Sequence, residues 1–299
     1  MAVANSIIGG TLFGNPVYVR RACRCNGREV GIGSPRYYVN FYVRITGVCF
    51  CNCSFCNDRS DEGTFDRTKF LQALFVLKDS LWVNKIVITG GEPTEDFSNF
   101  LLILKDIRDV FPHTHLTVNT NGVFLNLIEK PETLDLLSCV SVSRHHYLDD
   151  LNAEIFGIDQ SPSNMKVIKA FRDKDKLHLR CNLIKGYIDC LSKIQEYMDY
   201  MSRHGVRDFG FVNLMKINPY SKNHFVGNLP LDSISNTIES QKWERMDGKC
   251  TCRNYLHVTE SGYIVKMYER ANEAPEKPDG CLVYDVDCLR NGFGGDVLF

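Results

Sequence analysis

The sequence predicts an α/β fold built on parallel strands, and three observations carry that expectation. Six segments rich in β-branched and aromatic residues succeed one another between residues 37 and 215, and five of them lead within a short loop into sequence of helical periodicity. The chain has 299 residues, 44% apolar and 24% charged, enough to bury a large core and too apolar for wholesale disorder. No repeat or low-complexity tract interrupts the alternation. Periodicity alone leaves two closures open, a doubly wound open sheet and a partial barrel.

The elements follow in order. Residues 37–46 (YYVNFYVRIT) form the first strand, and residues 64–80 carry apolar side chains at helical spacing. Next come a strand at 85–91, a helix at 96–110 and a strand at 115–122. A short helix at 131–138 precedes a strand at 139–146, and a helix at 162–173 precedes a strand at 177–186. A helix at 190–205 is ended by Gly205, and 208–215 is the last strand of the series. Downstream, 254–267 reads as a β-hairpin turning at Glu260-Ser261-Gly262, and 273–280 (EAPEKPDG) as a loop. The expected layout is an N-terminal extension (1–36), a main α/β unit (37–220) and a small C-terminal hairpin subdomain (221–299).

Composition narrows the function. With 35 Lys+Arg against 36 Asp+Glu, the net charge of −1 argues against general nucleic-acid binding. No apolar run is long enough to span a membrane, and MAVANSIIGG lacks a basic leader, so a cytoplasmic protein is expected. Thirteen cysteines are then an anomaly. In a reducing compartment, clustered thiols point to metal or iron–sulfur ligation rather than to disulfides.

Four cysteines lie within Cys49-Phe-Cys-Asn-Cys53-Ser-Phe-Cys56, just after the first strand. Cys49, Cys53 and Cys56 make a CxxxCxxC triad. Three thiolates hold three irons of a cubane and leave the fourth open, which chemistry at the cluster requires. Cys51 is surplus and reads as a packed or solvated thiol, with a zinc knuckle of Cys49, Cys51 and Cys53 as the alternative. Cys139, Cys181 and Cys190, isolated in apolar surroundings, read as small buried hydrophobes.

Gly90-Gly91-Glu92-Pro93 ends the second strand, and Thr120-Asn121-Gly122 the third. With the triad, these residues make the sequence resemble the radical S-adenosylmethionine (SAM) superfamily over roughly residues 37–220. The resemblance implies a partial (β/α)6 TIM barrel with the site at the C-terminal ends of its strands. It implies a [4Fe–4S] cluster on Cys49, Cys53 and Cys56, reductive cleavage of SAM, and hydrogen abstraction by the resulting 5′-deoxyadenosyl radical. Phe55 would border the adenine, and Gly90, Gly91 and Glu92 would receive the methionine amine through backbone carbonyls and a carboxylate. Asn119, Asn121, Ser141 and Ser143 would line the ribose and carboxylate, and Arg180 and Asn182 would contribute from the fifth strand. An electron donor such as flavodoxin or ferredoxin is implied. The alternative is a non-catalytic iron–sulfur or zinc-binding scaffold.

The segment Cys250-Thr-Cys252 through Met267 is similar to the C-terminal region of the GTP 3′,8-cyclase family and of twitch and SPASM subdomains, which carry an auxiliary [4Fe–4S] cluster. The pair here is CxC rather than CxxC, and Met267 stands where a third cysteine belongs. Cys281 and Cys288 could complete a set with Cys250 and Cys252, with Cys23 and Cys25 as other candidates. Gly294-Gly295 resembles the cyclase's diglycine tail, but Asp-Val-Leu-Phe follows it. The expected substrate is a small molecule or short peptide, and the reaction type, oxidoreductase or lyase, stays open. His145 and His146 follow the fourth strand as candidate substrate contacts or proton donors, with strand-end capping as the alternative. Tyr147 and Tyr187 are candidate radical-quenching donors. The basic stretch Arg20–Arg28 reads as a solvated loop, with a phosphate contact as the alternative.

Overall fold

A computed structural model describes residues 6–21, 37–56, 63–227, 229, 254–258, 262–268 and 280–299. The chain opens with a hairpin, β1 (Ser6–Leu12) and β2 (Asn15–Arg21), before β3 (Tyr37–Arg44). Then come α1 (Arg67–Ser80), β4 (Val83–Thr89), α2 (Phe97–Val110), β5 (His115–Thr120), α3 (Leu125–Ile128), α4 (Pro131–Leu134) and β6 (Cys139–Ser143). They are followed by α5 (Asp149–Phe156), α6 (Met165–Ala170), β7 (Leu177–Leu183), α7 (Leu191–Ser202), β8 (Asp208–Asn213) and α8 (Pro219–Asn223). Strands β9 (Asn254–Val258), β10 (Ile264–Tyr268), β11 (Cys281–Asp285) and β12 (Cys288–Arg290) complete the described elements.

Strands β3 to β8 pair in sequence order and in parallel, the pattern expected of successive βα units. The C-terminal hairpin forms as the sequence predicts, but it does not stand apart. β10 pairs in parallel with β8, and β11 pairs in parallel with β3. The C-terminal strands thus extend both edges of the main sheet. Gly294-Gly295 lies in a loop after β12, not on a free tail: Gly294 has φ 68°, and a Cβ on Gly295 would stand 2.2 Å from the Asn291 carbonyl oxygen.

Strand alternation divides the side chains between two faces. Phe41, Ile88, Val118, Val142, Leu179 and Phe211 belong to one continuous core with the apolar stripes of the helices. In α2 the stripe is Phe100, Ile103, Leu104, Ile107 and Val110, at helical spacing. Asp66 and Asp96 accept the Lys69 and Asn99 backbone N–H groups and so fix where α1 and α2 begin, each cap contributing about 1 kcal/mol. The intervening strand positions, including Asn119, Ser141, Arg180 and Asn182, carry polar groups on the face away from the helices. Of the three cysteines expected in the core, Cys181 is fully buried; Cys139 falls on the polar face, and Cys190 caps α7 with its thiol 3.2 Å from the Ser192 hydroxyl.

Candidate active site

The loop leaving β3 carries the cysteines. Exposure alternates along it: Phe50 is 43% exposed and Asn52 and Ser54 are exposed, whereas Cys49 and Cys51 are half-buried and Cys53 is buried. That alternation puts Cys49, Cys51 and Cys53 on the inward side of the loop. A turn follows, closed by the Cys56 N–H donating to the Cys53 carbonyl at 3.0 Å. All four thiols are free of disulfides. Among the described residues, no three His, Cys, Asp or Glu side chains gather where one metal ion would hold them. A donor set of thiols alone, spread along one loop, fits the cluster. The Cys51 thiol beside it draws the Cys49 thiol down to about 7, which favours the thiolate that binds metal.

Two backbone contacts hold this loop. On one side the Gly91 N–H donates to the Thr46 carbonyl at 2.8 Å, and the Glu92 N–H to the Val48 carbonyl at 2.7 Å. A Cβ on Gly90 would stand 2.3 Å from the Thr46 oxygen, and one on Gly91 2.0 Å from the Val48 oxygen. The paired glycines therefore let the end of β4 lie against the cysteine loop. On the other side the Asn52 N–H donates to the Phe156 carbonyl at 2.8 Å, and the Cys53 Sγ lies 3.9 Å from the same oxygen. Gly157 ends α5 at φ 67°, and a Cβ there would stand 2.6 Å from the Asn52 oxygen. Sequence reasoning missed this second support. Its signal was Gly157 closing the run DDLNAEIF, with two aspartates in the first turn.

Glu92 is fully buried. Its Oε1 accepts the Thr94 N–H at 3.1 Å, the Thr94 hydroxyl and the Thr120 hydroxyl at 2.8 Å, and its Oε2 accepts the Asn121 N–H at 2.6 Å. Burial pushes the carboxyl upward while these hydrogen bonds pull it down. The carboxylate thus ties the end of β4 to the end of β5. Glu92→Gln is expected to set an amide NH2 against a backbone N–H donor and to cost about 2–3 kcal/mol, read as a lower midpoint in urea unfolding.

Asn121, 7% exposed just past β5, donates from Nδ2 to the Cys51 Sγ at 3.5 Å. On the polar face, the register sets Asn119 beside Ser141 and Ser143 beside Arg180, with Asn182 one step further up β7. The structure therefore brings Asn121 to the cysteine loop and arrays the others along the strands below it.

His145 and His146 are buried past the end of β6. The His145 Nδ1 accepts the Asn182 N–H at 3.1 Å, and its ring stacks on Phe156 and meets Phe55 edge to face. The His146 Nδ1 accepts the Leu148 N–H at 3.1 Å, and Asn152 Oδ1 accepts the backbone N–H of both histidines. Burial, with Arg180 and Arg144 near the first and Arg144 near the second, lowers them to about 3 and about 4. Both are neutral at physiological pH, an arrangement that suits capping of the strand end rather than proton donation by an imidazolium.

This arrangement has a consequence for acid stability. An unfolded chain protonates the two histidines near 6.5 and the fold does not. Stability is then full above pH 6.5 and falls as pH drops toward 4, by roughly 1.4 kcal/mol per pH unit for each histidine. Urea titrations of the metal-free protein between pH 7 and 4.5 should show that contribution, and His145→Phe should reduce the slope by roughly 1.4 kcal/mol per pH unit.

Phe55, Tyr187 and Tyr220 pack on Ile155, Ile184 and Leu214 beside the loop. The Tyr187 hydroxyl donates to Glu154 at 2.7 Å and is pushed up to about 12, mainly by burial. Asn218, which the sequence reading did not single out, donates from Nδ2 to the Ser54 carbonyl at 3.2 Å. An open depression of about 470 Å³ lies here, lined by Asn52, Ser54, Cys56, Asn218, Pro219 and Tyr220.

The auxiliary set fares differently. Cys23, Cys25, Cys250 and Cys252 lie outside the described residues, as do the side chains of Arg20–Arg28. Cys281 and Cys288 are separated by the hairpin register. Cys288 pairs with Asp285, four residues along β11 from Cys281, roughly 13 Å at the rise of a strand. The two thiols do not face one ion. Met267 is buried in the core that the helices share, so a thioether packs where the auxiliary clusters of similar families have a ligand.

Residues 39–150 match the family model of a 4Fe-4S single cluster domain. A probable GTP 3′,8-cyclase of Thermoplasma volcanium is 23% identical over 245 residues, covering 81% of this chain and 74% of that protein. A second, of Thermococcus kodakarensis, is 25% identical over 178 residues, covering 57% of this chain and 55% of that one. Among solved structures, Streptococcus suis SuiB bound to precursor peptide SuiA aligns at TM-score 0.49 and 22% identity, over 62% of this chain. The chain spans about two fifths of SuiB, 41%.

Proposed function

We propose that the chain is a radical SAM enzyme, with a [4Fe–4S] cluster and SAM as cofactors; the match to a 4Fe-4S single cluster domain and the similarity to probable GTP 3′,8-cyclases support that reading. The parallel strands curve into the partial (β/α)6 barrel of the superfamily, the polar face turned inward. Cys49, Cys53 and Cys56 hold the cluster. A cluster held by these three thiolates would supply the electron for reductive cleavage of SAM, and so the radical chemistry that takes hydrogen from the substrate.

The observation that carries this reading is the seating of the cysteine loop between Gly90-Gly91 and Phe156-Gly157 at the C-terminal ends of the strands. That seating fixes the thiols relative to the strand ends that receive SAM. The Gly90 and Gly91 carbonyls take the amine, and Glu92 keeps the strand end in place through β5. Asn119, Asn121, Ser141 and Ser143 bind the ribose and carboxylate, with Arg180 and Asn182 beside them. Phe55, wedged against His145, borders the adenine and excludes water.

The substrate is a small molecule or a short peptide, and a flavodoxin or ferredoxin supplies the electron. The relatives named for GTP cyclisation do not pass their substrate to this chain, because Met267 and the looped Gly294-Gly295 depart from that family's pattern. Anaerobic reconstitution with iron and sulfide tests the reading. We expect brown protein with about four irons per chain, releasing 5′-deoxyadenosine from SAM under reductant. Zinc uptake without SAM cleavage would overturn it.

A further inference from the structure

Building on the cluster assignment, we propose that Cys51 is a reversible fourth ligand: its thiolate occupies the iron left open by Cys49, Cys53 and Cys56, and SAM displaces it. Two observations place this thiol. It lies on the inward side of the loop with Cys49 and Cys53, between outward-facing Phe50 and Asn52. The Asn121 Nδ2 donates to it at 3.5 Å. Asn121 is itself immobilised, its N–H held by Glu92 at 2.6 Å and its Oδ1 by the Val123 N–H at 3.0 Å. The fourth thiol therefore sits between a cluster ligand and the strand ends assigned to SAM.

A packing role does not account for it. Cys51 is half-buried in a loop, unlike Cys181, which is fully enclosed by the core. Thiolate is a better ligand for iron–sulfur than water or an adventitious oxygen donor. When it binds, the Cys51 S–H bond breaks, an S–Fe bond forms and the proton passes to solvent. When SAM chelates the iron, the S–Fe bond breaks and the thiolate recovers a proton from solvent. No electron moves in either direction. The iron that performs chemistry is covered whenever SAM is absent.

The test compares wild type, Cys51→Ser and Cys51→Ala, reconstituted anaerobically and reduced, by electron paramagnetic resonance with and without SAM. The expected result is a wild-type spectrum that differs from both variants without SAM and coincides with them once SAM is bound. SAM should also bind the variants about tenfold more tightly, the competitor having been removed. With four irons in every protein, superposable SAM-free spectra overturn the proposal. So does loss of the cluster in both Cys51 variants while Cys49→Ser keeps it, which would make Cys51 a member of the triad. A wild-type protein that takes up no cluster overturns the assignment beneath and this proposal with it.

Discussion

Cys53→Ala is expected to bind no stable cluster and to reduce SAM cleavage to background while leaving the fold intact. Cys53 is the buried member of the loop, 8% exposed, and its Sγ lies 3.9 Å from the Phe156 carbonyl oxygen. Removing one sulfur from such a site costs about 1 kcal/mol of stability, a shift of a few degrees in the melting of the metal-free protein. Removing one of three ligands leaves a cubane held at two corners, and the metal is lost. The two readouts separate the causes. Iron content should collapse in Cys53→Ala and stay at the wild-type level in Cys190→Ala, whose thiol lies at the start of α7 away from the loop. A Cys53→Ala protein that keeps its iron and still releases 5′-deoxyadenosine would sink the ligand assignment.

The strands β3 to β8 and the helices α1, α2 and α7 were legible because their apolar residues recur at a clear period, as in Phe100, Ile103, Leu104 and Ile107. The elements that escaped are those with little periodicity to show. Helix α5 has 8 residues and β12 has 3. The β11–β12 turn places Val286 at φ 59°, so no glycine or asparagine announced it. Pairing of β11 with β3 links residues some 240 positions apart, and no local pattern encodes such a contact. The site divides in the same way. Cys49, Cys53, Cys56 and the two glycines were visible as a motif. The carbonyl of Phe156, the lock of Glu92 on Asn121 and the support of Asn218 depend on backbone atoms and on distances across the fold, and composition carries no trace of them.

Gly91→Ala is expected to do more damage to cluster binding than an added methyl at any other described glycine. The new Cβ would stand 2.0 Å from the Val48 carbonyl oxygen, with the Gly47 oxygen at 2.7 Å. These obstacles are backbone atoms, so no rotamer change relieves them. Either the end of β4 or the loop of residues 46–48 must move, and with it go the 2.8 Å bond from the Gly91 N–H and the 2.7 Å bond from the Glu92 N–H. Two hydrogen bonds and the displaced backbone amount to about 3 kcal/mol. The larger effect falls on Cys49, which follows Val48 directly and loses the wall that fixes it. Iron retained after reconstitution should drop severalfold, and the SAM concentration for half-saturation should rise in whatever fraction stays loaded. Gly186→Ala is the matched control. Gly186, unlike Gly91, has a positive φ, +96°, and a Cβ there meets nothing within 4 Å, so that variant carries about 1 kcal/mol of backbone strain without touching the loop. Equal iron retention in the two variants would show that the close approach of Gly91 to Val48 is not what seats the cysteines.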